Sequence, residues 1–177
     1  MTMPPRLRKV VLTAHVTTSV GWLGAILAYL AVDITAVTSQ DIQTVRGAYA
    51  TMEVIVTSVI VPLALASVLI GIVNALGTPW GLLRHYWVLA KLLLTAFAAA
   101  VLLLETQTVT HLATTAATSA DPRGLPGTLP HSAGGLVLLL IAVTLSVFKP
   151  QGVTRYGWRR RNELRRDKRA LRTAPMA

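Results

Sequence analysis

Residues 10–32 read VVLTAHVTTSVGWLGAILAYLAV, and the fold turns on how this stretch is read. It contains no Asp, Glu, Lys or Arg. About 20 apolar residues rising 1.5 Å each cross the ~30 Å hydrocarbon core of a bilayer, so the stretch predicts a transmembrane helix. The run is too long for the apolar part of a secretory leader, and no clear small-x-small cleavage site follows it. Its polar residues are ordered. His15, Thr18, Trp22, Ile26, Tyr29 and Asp33 recur at helical spacing, and Gly21 with Ala25 forms a small-xxx-small pair beside them. Such a helix turns the stripe toward protein and the remainder toward lipid.

Three more apolar runs follow, at 49–76, 86–104 and 131–148. Together they predict an all-α, polytopic four-helix membrane bundle over 10–148. A short basic N-terminus (1–9) precedes it and a polybasic tail (149–177) follows. In the second run Glu53, Thr57, Ile60, Ala64, Ser67, Gly71 and Asn74 share a stripe, and Pro62 interrupts the middle. Proline leaves the Ser58 carbonyl without its helical donor, which predicts a kink. The third run places Lys91, Thr95, Ala98 and Glu105 on one face. Residues 33–48 read as a polar loop, the Thr- and Ala-rich continuation to about 119 as lying outside the bilayer, and 121–130 as a Pro/Gly turn.

A ten-residue phrase appears twice, each time just after an apolar run. Thr78-Pro79-Trp80-Gly81-Leu82-Leu83-Arg84-His85-Tyr86-Trp87 returns as Lys149-Pro150-Gln151-Gly152-Val153-Thr154-Arg155-Tyr156-Gly157-Trp158. Pro and Gly end a helix, while Arg, Tyr and Trp suit the headgroup region. The repetition predicts a 2+2 helix duplication with both copies at one face of the membrane.

Composition agrees with a membrane chain. Hydrophobic residues make up 53% and charged residues 14%, against about 25% charged in soluble domains. The net charge of +10 is concentrated: ten of the seventeen Lys and Arg fall in 149–172, opposed only by Glu163 and Asp167. Beside an apolar run, such a segment points to anionic lipid headgroups rather than nucleic acid. The basic N-terminus, second connection and tail, set against the acidic first and third connections, place both termini in the cytoplasm. With no cysteine, disulfides, thiolate metal sites and cysteine nucleophiles are excluded.

Four histidines are the candidates for chemistry. His15 and His85 belong to the cytoplasmic half, where two imidazoles on facing helices would hold a haem b if their depths matched. His111 and His131 belong to the outer half, where with Glu53, Glu105 or Asp33 they would make a site for Zn, Cu or Fe. Lys91 is the most deeply placed charge, only a turn or so from the interface; its four-carbon stem reaches the headgroups by snorkelling, which is the favoured reading, and an intramembrane ionisable residue is otherwise a functional candidate. A solute or ion path would use Pro62, Glu53 and Lys91. No nucleophile motif or phosphate loop is present.

The residues His15 with Gly21-Trp22-Leu23-Gly24, then Gly77-Thr78-Pro79-Trp80-Gly81-Leu82 with Arg84-His85-Tyr86-Trp87, and Lys149-Pro150 with Gly152 and Thr154-Arg155-Tyr156-Gly157-Trp158 resemble a family of small four-helix integral membrane proteins of high-GC bacteria, a family with no established activity. The resemblance implies the fold and carries no catalytic residue. The leading expectation is a non-enzymatic accessory or interaction protein of the bacterial cytoplasmic membrane, docking a membrane-protein partner or a second copy through the two phrases and the tail. The alternatives are a haem or metal binder and a small-solute or ion transporter.

Overall fold

The structure is a computed structural model that describes residues 3–77, 85–148, 150, 152, 154, 157–159 and 162. Most of both phrases (78–84, 149, 151, 153, 155, 156) and the tail from 163 lie outside the described residues, and with them the expectations attached to Arg84, Arg155 and the polybasic segment.

The described chain is helical and forms four spans. The first is α1 (Pro5–Thr38), started by a proline whose fixed φ and missing N–H suit a first helical turn. A three-residue turn follows. There Asp41 caps α2 (Ile42–Ile55) by accepting from the Thr44 N–H at 2.8 Å, which satisfies one of the free amides of a helix start. The second span runs on through a π-helical turn (Val56–Ile60) into α3 (Val61–Leu76). The remaining spans are α4 (Tyr86–Thr118) and α5 (Leu129–Phe148). All four are long and apolar enough to cross a membrane, and large apolar side chains such as Leu69, Leu93, Leu104 and Phe148 cover the outside. The chain is a multi-pass membrane protein.

Each span packs against its neighbours in sequence, and α5 closes the ring against α1. Among the described residues the diagonally opposed spans make no backbone approach. The result is an up-down-up-down bundle with a square cross-section. Hydroxyls on the lipid side are satisfied within their own helices: Thr35, Thr51, Thr57 and Thr144 each donate to the carbonyl four residues back.

The helices are longer than hydropathy predicts. At 1.5 Å per residue the 34 residues of α1 reach about 50 Å, some 20 Å beyond the hydrocarbon core. Asp33 therefore lies inside a helix rather than in a loop. Residues 105–118, expected outside the bilayer, stay helical because Val109, Leu112, Ala113 and Ala116 of α4 pack with Ala36, Val45, Ala48 and Tyr49 in one buried cluster. By contrast, the 20 residues of α5 match the core alone. The connection 119–128 covers the difference.

Pro62 produces a change of phase. The Val61 N–H donates to the Val56 carbonyl, five residues back, so the helix carries one extra residue per turn just before the proline. The stripe predicted for the second span therefore holds only on one side of this turn. Ile60, Ala64 and Ser67 are buried as expected, but toward the other end Val56, Met52, Tyr49 and Val45 face the core. Glu53 and Thr57, which a regular helix would have turned inward, are displaced from it: Glu53 is partly covered and Thr57 is exposed.

At the end of the bundle where α1 begins and α5 ends, the Met3 N–H donates to the Gly77 carbonyl at 3.2 Å and the Tyr86 N–H to the Gly152 carbonyl at 3.4 Å. The described parts of the two phrases thus meet at that end.

Candidate functional site: two cavities divided by Trp22

The stripe of α1 organises the interior. Trp22, Ile26, Tyr29 and Asp33 are all buried, as their spacing predicts. Trp22, only 2% exposed, stands in the wall of two cavities. Its indole N–H has no hydrogen-bond partner among the described residues.

The first cavity, about 430 Å³, lies toward the end of the bundle where α1 begins and α5 ends. Its polar groups come from all four spans: Arg8, His15 and Ser19 from α1, Ser67 and Asn74 from α3, Lys91 and Thr95 from α4, and Ser146 from α5. Ser19 and Ser67 share a hydrogen bond of 2.8 Å. Across the diagonal of the bundle, Lys91 Nζ comes within 3.5 Å of His15 Nε2, the outer limit of a hydrogen bond. The other ring nitrogen, Nδ1, is buried and has no partner among the described residues. Gly71 is packed so closely on the ring that a Cβ there would lie 2.9 Å from His15 Cε1. Among the described residues no carboxylate belongs to the lining, and Lys91 and Arg8 are its cationic side chains.

His85 is placed differently. It precedes the first turn of α4 and is not part of the lining. Lys91, six residues further on, occupies the level of His15; six residues of helix are about 9 Å. The expected pair of His15 and His85 is therefore not brought together, and His15 meets Lys91 instead. Sequence reading placed His15 on the protein-facing stripe of α1 and Lys91 on a polar face of the third span, from which it was expected to reach the headgroups. Their meeting across the diagonal depends on the relative height of two spans, which no local pattern encodes.

The second cavity, about 630 Å³, lies toward the other end, between α1, the π turn, α4 and α5. It is apolar apart from one end, where Glu105 Oε1 lies 3.2 Å from His131 Nε2. Close by is a network that belongs to the fold. The Asp33 carboxylate, 0% exposed, accepts from the Thr128 N–H (3.1 Å), Thr128 Oγ1 (2.9 Å) and Ser132 Oγ (3.0 Å). Tyr29 Oη is 2.7 Å from Thr128 Oγ1. Since that hydroxyl gives its proton to Asp33, Tyr29 is the donor. Asp33 thereby caps α5 from a different helix, where a carboxylate is favoured by the exposed amides of a helix start. A side chain at Gly127 would run into Val37 and Asp33, so glycine allows the loop to close over the carboxylate.

Of the residues expected to form an outer metal site, His131 has Glu105 as its neighbour, His111 is exposed, and Glu53 is turned aside by the π turn. Among the described residues no three His, Asp or Glu side chains are grouped to hold a metal ion. His111, His131 and Glu53 do not assemble: the π turn before Pro62 turns Glu53 aside, and His111 lies on the exposed face of α4.

Fold and cavities define a class: a multi-pass four-helix membrane bundle with internal space for ligands. Compared with known protein families, characterised protein sequences and solved structures, the chain matches none.

Proposed function

We propose that this chain is a non-enzymatic, cofactor-binding protein of a bacterial cytoplasmic membrane, with both termini cytoplasmic, and that it holds haem b in the cavity at His15. The observation that carries the reading is Lys91. A partly buried ammonium within a membrane bundle, in a cavity with no carboxylate among the described residues of its lining, is costly unless a counter-charge arrives. The imidazole beside it is equally under-used, with one nitrogen at 3.5 Å from Lys91 and the other unpartnered. Haem b answers both needs, since its iron takes an imidazole and its propionates are carboxylates for Lys91 and Arg8. The indoles of Trp22 and Trp87 and the side chains of Leu12 and Leu139 supply apolar wall for a macrocycle.

The test is the visible spectrum of protein purified in mild detergent after expression with haem precursor, oxidised and then reduced with dithionite. The expected result is a Soret band and a sharp reduced α-band, both lost or shifted in His15→Ala and weakened in Lys91→Met. A protein that takes up no stoichiometric haemin, or takes it up equally well without His15 and Lys91, overturns the reading.

A second reading is favoured by the bond between the Tyr86 amide and the Gly152 carbonyl, which gathers the phrases at one end. They would form a contact surface for a membrane-protein partner or a second copy of the chain, with the basic tail on anionic headgroups. Replacing Arg84 and Arg155 with Ala should then change the pattern of in-membrane cross-links; an unchanged pattern with unchanged topology sinks it.

A further inference from the structure

We infer that the 630 Å³ cavity is a second, separate ligand site, and that it takes a neutral membrane lipid of the isoprenoid quinone class. Ligand pockets of about 300–1,000 Å³ enclose molecules of this size. Three features narrow the ligand.

The first is access. Phe97 of α4 is 60% exposed and Val137 of α5 is 55% exposed, yet both line the cavity. They face outward on apolar helices that span the bilayer, so the cavity opens sideways into lipid rather than into water. The ligand arrives from the membrane and can leave a long tail there.

The second is polarity. The body of the cavity is formed by Trp22, Ile26, Phe97, Leu102 and similar side chains, with polar groups at one end only. That distribution fits an amphipathic molecule with a compact head and an apolar chain.

The third is charge. The carboxylate and the imidazole in the lining, Glu105 and His131, lie 3.2 Å apart. An anionic head, such as that of a fatty acid or an acidic phospholipid, would set a second negative charge against the Glu105 carboxylate, which repels it. A quinone head adds none. Its carbonyl accepts a hydrogen bond from the imidazole, and the hydroxyl of the quinol form donates to the carboxylate. A carboxylate–imidazole pair offers both roles, so it accommodates either form. Asp33 takes no part, because its oxygens already hold three donors.

The site is independent of the haem reading, since His15 and Lys91 line only the other cavity. The experiment is equilibrium binding of decylubiquinone to the full chain in lipid nanodiscs, with oleate titrated in parallel. Wild-type protein should bind the quinone saturably at one site. Ala98→Trp, which fills the cavity, should abolish saturable binding. Glu105→Gln and His131→Gln, nearly equal in size to the natural residues, should each weaken it about tenfold, or about 1.4 kcal/mol, while circular dichroism stays unchanged. His15→Ala and Lys91→Met should leave it intact. Non-saturable partitioning that is the same in wild type and in the Glu105→Gln variant overturns the proposal. So does saturable binding of oleate in place of the quinone.

Discussion

Replacing Asp33 with Ala should be among the most damaging single changes in this protein. Three donors converge on this carboxylate, at 3.1, 2.9 and 3.0 Å. Two of them keep something after truncation: Ser132 Oγ also lies 3.2 Å from the Leu129 carbonyl, and Thr128 Oγ1 retains Tyr29. The Thr128 N–H keeps no protein acceptor, and an orphaned buried donor costs about 1–3 kcal/mol. Losing two hydrogen bonds to a charged group and the favourable charge at the start of α5 adds more, partly offset by the alternatives. Together these come to about 3–5 kcal/mol. Asp33→Asn keeps the shape and one acceptor, so it should cost about 1–2 kcal/mol. The assay is reversible unfolding in mixed micelles by rising SDS fraction, followed by helical circular dichroism. The expected order is wild type, Asn, then Ala, with Thr128→Val and Asp33→Ala coupled in a double-mutant cycle. An Ala variant within about 0.5 kcal/mol of wild type, or Asn no better than Ala, would refute the reasoning.

Arg46 donates to the carbonyls of Ala116 (3.2 Å), Ser119 (2.6 Å) and Ala120 (3.4 Å), so it caps the end of α4. Arg46→Ala should cost about 2 kcal/mol and speed hydrogen exchange or proteolysis in 116–121 before anywhere else. Gly71→Ala should leave the fold intact, because the Cβ meets a side-chain ring that can turn, but it should displace His15 and lower haem affinity at least tenfold in a haemin titration. Arg123 hydrogen-bonds both oxygens of Asp121, at 2.8 and 2.6 Å, and these bonds pull the Asp121 carboxyl down to about 2. Because the folded value is depressed, this contribution to stability is present above the ordinary value of 3.8 and is lost as pH falls through about 2. Arg123→Ala should return the carboxyl toward 3.8 in an NMR titration, and high salt should move the wild type part of the way, since both groups are exposed.

The amount of this structure that was legible in the sequence depends on how local each cause is. The four spans followed from hydropathy and bilayer thickness, and the buried stripe of α1 followed from polar residues at a 3.6-residue period in an apolar background. Helix lengths did not follow in the same way. Thr- and Ala-rich stretches such as 106–118 have no strong preference of their own, and packing of Val109, Leu112 and Ala116 into the cluster with Val45 and Tyr49 kept them helical.

The candidate sites divide on similar lines. His15 was identified as lying on a protein-facing stripe and Lys91 as sharing a face with Thr95 and Glu105, and His131 and Glu105 as sharing an end of the bundle. Which side chain meets which was settled by the relative height of neighbouring spans and by the π turn before Pro62, which shifts every outer residue of the second span by one position. By itself the sequence determined an all-helical, membrane-spanning chain, because bilayer thickness and helical period act over a few turns. Only the tertiary structure decided that Lys91 faces His15, that Glu53 is turned aside and that Asp33 caps α5. Those outcomes depend on rotation, height and register between helices far apart in the chain.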